Sequence, residues 1–250
     1  MNRRKFIYNS SIASLSVVGL NSCNILDKNV KISILHTNDV HSQIEPFPFN
    51  HNIYPDRGGF AKRANIFKGL MKINPNTLIF DAGDIFQGTP YFNFFQGELE
   101  LNLMKKMGYN AATIGNHEFD AGLDILKRNI LNNDFQFISS NYDFTNTALE
   151  GLVSRYKVYK KQNIKIGVFG LGIELNGLVN SSLYKETKYH DPIEISNEMT
   201  HKLKTEEKCD LIICISHLGH TYQGDKISDL KLGRLTSDID LIIGGHTHTL

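Results

Sequence analysis

The chain lacks a charge excess. Its 27 Lys and Arg are balanced by 26 Asp and Glu, for a formal net charge of +1. No long run of one sign occurs, so neither a nucleic acid nor an acidic surface is favoured as a partner. Cysteine is scarce as well. Cys23, Cys209 and Cys214 are too few for a disulfide framework, and their spacing suits no thiolate zinc site. Cys214 sits inside an apolar run and reads as a small buried hydrophobe. Transmembrane-length apolar runs are missing: the stretch from Phe6 to Leu20 is short and broken by serines. There is no internal repeat and no low-complexity segment. What is present is ordinary for a soluble globular protein. With 41% apolar and 21% charged residues, 250 residues can build one sizeable domain with its own core.

The first 23 residues read as an export signal. Arg3, Arg4 and Lys5 form a basic n-region before the mildly apolar stretch. Leu20-Asn21-Ser22-Cys23 resembles a lipoprotein cleavage box with Cys23 as the lipid-bearing residue, although Asn21 is not the usual small residue. Arg3-Arg4-Lys5-Phe6 also resembles a twin-arginine signal; the alternative is a plain secretory n-region. Residues 24–30 are expected to be a tether and residues 31–250 the folded domain.

From Lys31 onward, short apolar runs alternate with amphipathic stretches. Strands are expected at 31–35, 77–80, 111–114, 136–139, 164–171, 211–215 and 241–243. They are mostly continuous apolar runs rather than alternating ones, as expected for strands buried on both faces. Helices are expected near 60–72, 98–107, 123–132 and 195–204, with Gly108 stopping the second and Gly122 turning into the third. The order argues for an α/β domain with a largely parallel or mixed sheet. Residues 43–57, with Pro46, Pro48 and Pro55 among aromatics, read as a long surface loop, and 174–192 as a second irregular region. Phe92, Phe94 and Phe95 read as packing residues rather than a substrate platform.

Chemistry-bearing residues follow five of the strands. Asp39 and His41 follow the first, and Asp84 the second. Asn116 and His117 follow the third. His217 comes after the strand at 211–215, and His246 and His248 after that at 241–243. Ligands of open α/β sheets bind beyond the carboxyl ends of strands, so these loops can converge on one point. The donors are oxygen and imidazole, without thiolate, which suits Zn, Mn, Fe or Co. Two such ions sharing Asp84 could clamp a phosphoryl group and activate water. Glycines before Asp84, Asn116 and His246 let the backbone approach closely. Each short motif alone is weak; the conjunction and order of all five is not.

The order of motifs is similar to that of the calcineurin-like metallophosphoesterases. The strings ILHTNDVH, DAGDIFQGTP, ATIGNHEFDAG and IDLIIGGHTHT resemble the catalytic domain of the 5′-nucleotidase and UDP-sugar hydrolase family, over Lys31 to Leu250. The resemblance implies a layered sandwich of mixed β-sheets flanked by helices, with the metal site at the C-terminal strand ends. It implies one ion held by Asp39, His41, Asp84 and His248, and another by Asp84, Asn116, His217 and His246. Many members have glutamine where His248 stands. It further implies that His117 stabilises transition-state charge on the phosphate and that Asp120 orients its imidazole. Taken alone, Asp120 reads as a helix N-cap.

The implied substrate is a small phosphate ester, foremost a 5′-nucleotide. UDP-sugar hydrolysis and cyclic-nucleotide hydrolysis on the same site are alternatives. A non-catalytic surface lipoprotein that binds metal or nucleotide is the alternative of another class, against which stands the complete donor set. Family members continue beyond the position of Leu250 with further strands and often a separate domain for nucleotide recognition. The domain is therefore expected to be incomplete at its C-terminus, with specificity in a further domain or partner chain.

Overall fold

In the computed structural model, residues 29–249 are described. The expected export signal, Cys23 and most of the expected tether, residues 1–28, lie outside them.

The second strand shows why the fold forms layers. In β2 (Thr77–Asp81) every residue is buried. Leu78 and Phe80 join one apolar cluster, whereas Ile79 joins another. Successive strand side chains point to opposite faces, so a strand apolar at every position must be covered twice. β2 is the centre of a parallel sheet with β1 (Ser33–Thr37) and β3 (Ala111–Ala112) at its edges. A second sheet has the order β5 (Tyr156–Lys161), β6 (Ile164–Leu171), β8 (Leu211–Ser216), β9 (Leu241–Gly244). In it β5 runs antiparallel to β6, and the remaining pairs are parallel. A short antiparallel ribbon joins β4 (Tyr142–Asp143) to β7 (Lys188–Tyr189).

The two large sheets pack face to face. Leu78, Phe80 and Ala111 from one meet Ile166, Val168, Ile213, Ile215 and Ile243 from the other. Burying each large side chain here contributes about 1.5–3 kcal/mol. On the outer face of the first sheet, Ile79 and Ala112 pack against helices Phe60–Ile73, Glu98–Met107 and Leu123–Asn133. On the outer face of the second, Phe169, Leu171, Ile212 and Cys214 pack against helices Pro192–His201 and Asp229–Leu235. The result is helices, sheet, sheet, helices, which is the mixed α/β sandwich expected.

Several elements differ from the expectation. Residues 136–139 form isolated bridges, Ala112 to Phe137 and Ile138 to Ser154, rather than a strand. The fourth helix starts earlier, at Pro192, where Asp191 caps it by accepting from the Ile193 and Glu194 amides. It then widens into a π-helical stretch, Lys202–Glu206. Strand β5 and the helices Pro90–Phe95 and Asp229–Leu235 are additional. The irregular region 174–192 contains a short helix, Ser181–Tyr184, and β7. Gly108 does end its helix, in the left-handed conformation. Cys214 is fully buried. Of the three phenylalanines read as packing, Phe92 is buried, but Phe94 is 82% exposed and Phe95 47%.

Candidate metal centre

Parallel strands in both sheets end at the same rim, and their loops carry the polar residues there. Asp39, His41 and His248 present donor atoms within 4.8 Å of one another; so do His41, Asp84 and His117, and so do Asp84, His217 and His246. Asp84 and His41 link the three groups into one cluster. The structure thus brings together all the charged and imidazole residues expected to ligate metal. Asn116, next in sequence to His117, has a buried Oδ1 without a protein partner.

The backbone at this rim is unusual. Asp39, His41, Asp84, His246 and His248 all have positive φ, from 43° to 77°. Asp and His tolerate this region better than most side chains, but each such residue still costs about 1 kcal/mol or more. Tertiary contacts hold them there. The Asp39 carboxylate accepts from the His246 amide at 2.9 and 3.0 Å. Asp84 Oδ1 accepts from the His117 amide at 2.8 Å. Gly115 makes room: a Cβ there would run into Asp84 Oδ1 and sit 2.9 Å from His217 Nε2.

Hydrogen-bond directions decide which ring atoms are free. His217 Nδ1 lies 2.6 Å from the Ala82 carbonyl, which can only accept, so Nδ1 carries the proton. Its Nε2 then faces Asp84 Oδ2 at 3.0 Å in a site where both side chains are buried. Likewise His41 Nδ1 points to the Phe86 carbonyl at 3.3 Å, which leaves Nε2 facing His248 Nε2 at 3.1 Å. Lone pairs aimed at one another at such distances require a cation or a proton between them. Two ligands of one tetrahedral ion stand about 3.4 Å apart when each bond is about 2.1 Å. His246 Nδ1 and Asn116 Oδ1 are also buried without protein partners. The residues therefore fit divalent metal.

The electrostatics agree. Burial would lower the His217 pKa, but the Asp84 charge beside it raises it to about 9. Burial opposes ionisation of Asp84, and His217 overcomes it, holding the carboxylate well below its usual range. A protonated His217 here supplies the positive charge that Asp84 needs. Burial and the neighbouring His217 charge push His246 down to about 4, leaving a free base suited to ligation. Burial also lowers His41.

His117 and Asp120 form a separate pair. His117 Nδ1 lies 2.7 Å from Asp120 Oδ2, and this bond raises the His117 pKa. The helix after Asp120 takes Gly122 as its N-cap, so the capping reading of Asp120 is incorrect. Its carboxylate is spent on the imidazole instead.

Sequence reasoning gave no role to Glu118. This residue is fully buried and accepts from the amides of Asp84 at 3.0 Å, Ile85 at 2.7 Å and Gly115 at 2.6 Å. It ties the Asp84 loop to the Gly115 loop. Burial pushes its pKa up to about 7. The only available signal was its place in the string GNHE.

A family model described as calcineurin-like phosphoesterase matches residues 32–250. A 5′-nucleotidase of Vibrio vulnificus is 33% identical over 231 residues, covering 88% of this chain and 41% of that protein. Among solved structures, a 5′-nucleotidase precursor from Thermus thermophilus superposes with a TM-score of 0.79 at 32% identity, covering 88% of this chain and 42% of its own. The NAD nucleotidase of Haemophilus influenzae gives 0.74 at 30% identity, covering 88% and 39%. The chain spans less than half the length of these relatives.

Proposed function

Because the chain belongs to the calcineurin-like phosphoesterase family, and with it is a metal-dependent phosphoester hydrolase, we propose that it cleaves phosphomonoesters, foremost 5′-nucleotides, at a centre of two divalent ions. Asp39, His41, Asp84 and His248 would hold one ion, and Asp84, Asn116, His217 and His246 the other. The observation that carries this reading is the pair of facing donor sets, His41 against His248 and His217 against Asp84, at 3.1 and 3.0 Å. Asp84 belongs to one donor group with His41 and to another with His217, as a shared carboxylate would.

When bound, such ions supply Lewis-acid charge to the phosphoryl oxygens and lower the pKa of the attacking water. The chain's own groups do the rest. Asp120 fixes His117 with Nδ1–H donated to the carboxylate, leaving Nε2 for the substrate. Protonated, that imidazole adds positive charge where the phosphoryl group becomes most negative. Glu118 keeps the Asp84 and Gly115 loops at a fixed separation, so the site does not have to reorganise during reaction. Water adds to phosphorus as the ester oxygen leaves, in line.

Nucleotide-processing relatives support the substrate class. The basic n-region and the box ending at Cys23 support export and a lipid anchor. Among the described residues no helix is long and apolar enough to cross a membrane. Metal content by mass spectrometry, with phosphate release from AMP, UDP-glucose and p-nitrophenyl phosphate, tests the reading. Two ions per chain and a preference for AMP are expected. Metal-free folded protein with no phosphate release would refute it.

A further inference from the structure

His41 reaches the metal cluster from a turn that the backbone resists. His41 and Ser42 are consecutive residues in the left-handed region, at φ 43° and 55°. Residues 84–89 strap this turn. The His41 amide donates to the Asp84 carbonyl at 3.1 Å and the Ser42 amide to the Ile85 carbonyl at 2.8 Å. His41 Nδ1 lies 3.3 Å from the Phe86 carbonyl oxygen. Gly88 packs so closely that a Cβ there would sit 2.6 Å from the His41 carbonyl oxygen.

Behind the turn is a carboxyl group that the chemistry above does not use. Glu100, in the first turn of helix Glu98–Met107, is fully buried, and so is Ser42. The Ser42 hydroxyl donates to Glu100 Oε1 at 2.5 Å. Thr89 closes the arrangement: its hydroxyl donates to the Ser42 carbonyl at 2.8 Å, and its Oγ1 is 2.8 Å from Ser42 Oγ. The helix, the strap and the turn therefore meet at one serine side chain. Glu100 Oε2 has no partner among the described residues. A buried carboxylate left in that state is costly, and a neutral acid much less so. Burial raises the Glu100 pKa accordingly. A neutral acid still offers a carbonyl oxygen, so it can hold Ser42 without a buried charge.

We propose that Glu100 is a positioning residue of the metal centre: through Ser42 it fixes the left-handed turn that aims the His41 imidazole at the donors of Asp39, Asp84 and His248. The proposal rests on the metal reading above and adds the support behind one ligand. Removing the groups that orient a metal ligand typically costs about 10–100-fold in metal affinity.

The test measures zinc binding by the full chain, with free zinc set by a competing chelator, and denaturant unfolding of the same protein without metal. Ser42→Ala and Glu100→Leu should each weaken binding of the ion held by His41 about 10–100-fold. Glu100→Gln keeps an oxygen for the Ser42 hydroxyl and should stay within about threefold of wild type. Ser42→Ala carries the test if Glu100→Leu does not fold. A merely structural Glu100 would lower the unfolding midpoint of the metal-free protein and leave zinc affinity alone. Unchanged zinc affinity in Ser42→Ala therefore overturns the proposal, as does a Gln variant as weak as the Leu variant. Folded wild type that binds no zinc would instead sink the metal centre itself, and this role for Glu100 with it.

Discussion

The two sheets bring different donors to the same rim. Loops after β1, β2 and β3 supply both carboxylates, Asp39 and Asp84, together with the Asn116 amide and His41. Loops after β8 and β9 supply imidazole alone: His217, His246 and His248. Each half is incomplete without the other. The first would leave buried carboxylates without a cation, and an isolated buried charge is costly. The second would leave ring nitrogens with nothing to ligate. They are joined by Asp39 accepting from the His246 amide, by Ala82 accepting from His217, and by the Asp84–His217 pair. The difference shows that this centre is a junction between sheets rather than a property of either. Metal there should tie the sheets together as well as serve chemistry.

Chelation is the broadest way to break that junction. With the metals removed, phosphate release should fall at least ~10⁴-fold, since the main source of charge stabilisation is gone. The unfolding temperature should fall with it, because ligands bound only to the native state stabilise it. Added divalent metal should restore both, and an unchanged unfolding temperature on chelation would deny the link between sheets.

His117→Ala should leave the junction intact and remove only the group proposed to meet the substrate. Its kcat should drop about 10²–10³-fold with metal content at the wild-type level. Loss of metal in that variant would place His117 among the ligands instead.

Gly170→Ala attacks the other end of the comparison, the apolar contact between sheets. A Cβ at Gly170 would collide with the Ile138 carbonyl oxygen. Overpacking of this kind costs about 1–3 kcal/mol. Denaturant unfolding should report that loss while the folded variant keeps its metals and its kcat.

The smallest effect concerns pH. Burial raises the Asp229 carboxyl to about 6, although it accepts from the Ser216 hydroxyl at 2.5 Å. The native state therefore holds a proton that the unfolded chain has released between about pH 4 and 6. More protons bound in the native state mean that stability falls as pH rises. Asp229 thus favours the fold most below about pH 4, and this contribution disappears as pH passes 6. Asp229→Asn should flatten the slope over that window, by on the order of 1–2 kcal/mol. An unchanged slope in stability curves at pH 4 and 7 would exclude the effect.

The sites along the chain were legible for a local reason. Each donor lies within a few residues of a strand, most of them continuous apolar runs, and a strand end fixes where its loop points. Thus Asp84 after 77–80 and His217 after 211–215 could be placed without coordinates. Strand β5 could not, because YKVYKK alternates lysine with apolar residues at an edge and makes no apolar run. The positive φ of Asp39, His41 and Asp84 left no mark either, since side-chain type does not report backbone strain imposed by distant contacts. Glu118 was hidden for the same reason: its donors come from two loops that only the fold brings together. The contact of Glu100 with Ser42, 58 residues apart, is likewise a tertiary fact.

The most direct test counts metal in Asp84→Ala against wild type, by mass spectrometry on folded protein. If Asp84 is the carboxylate shared across the sheet junction, the wild type holds two ions per chain and the variant essentially none. Two ions retained in the variant would contradict the shared centre.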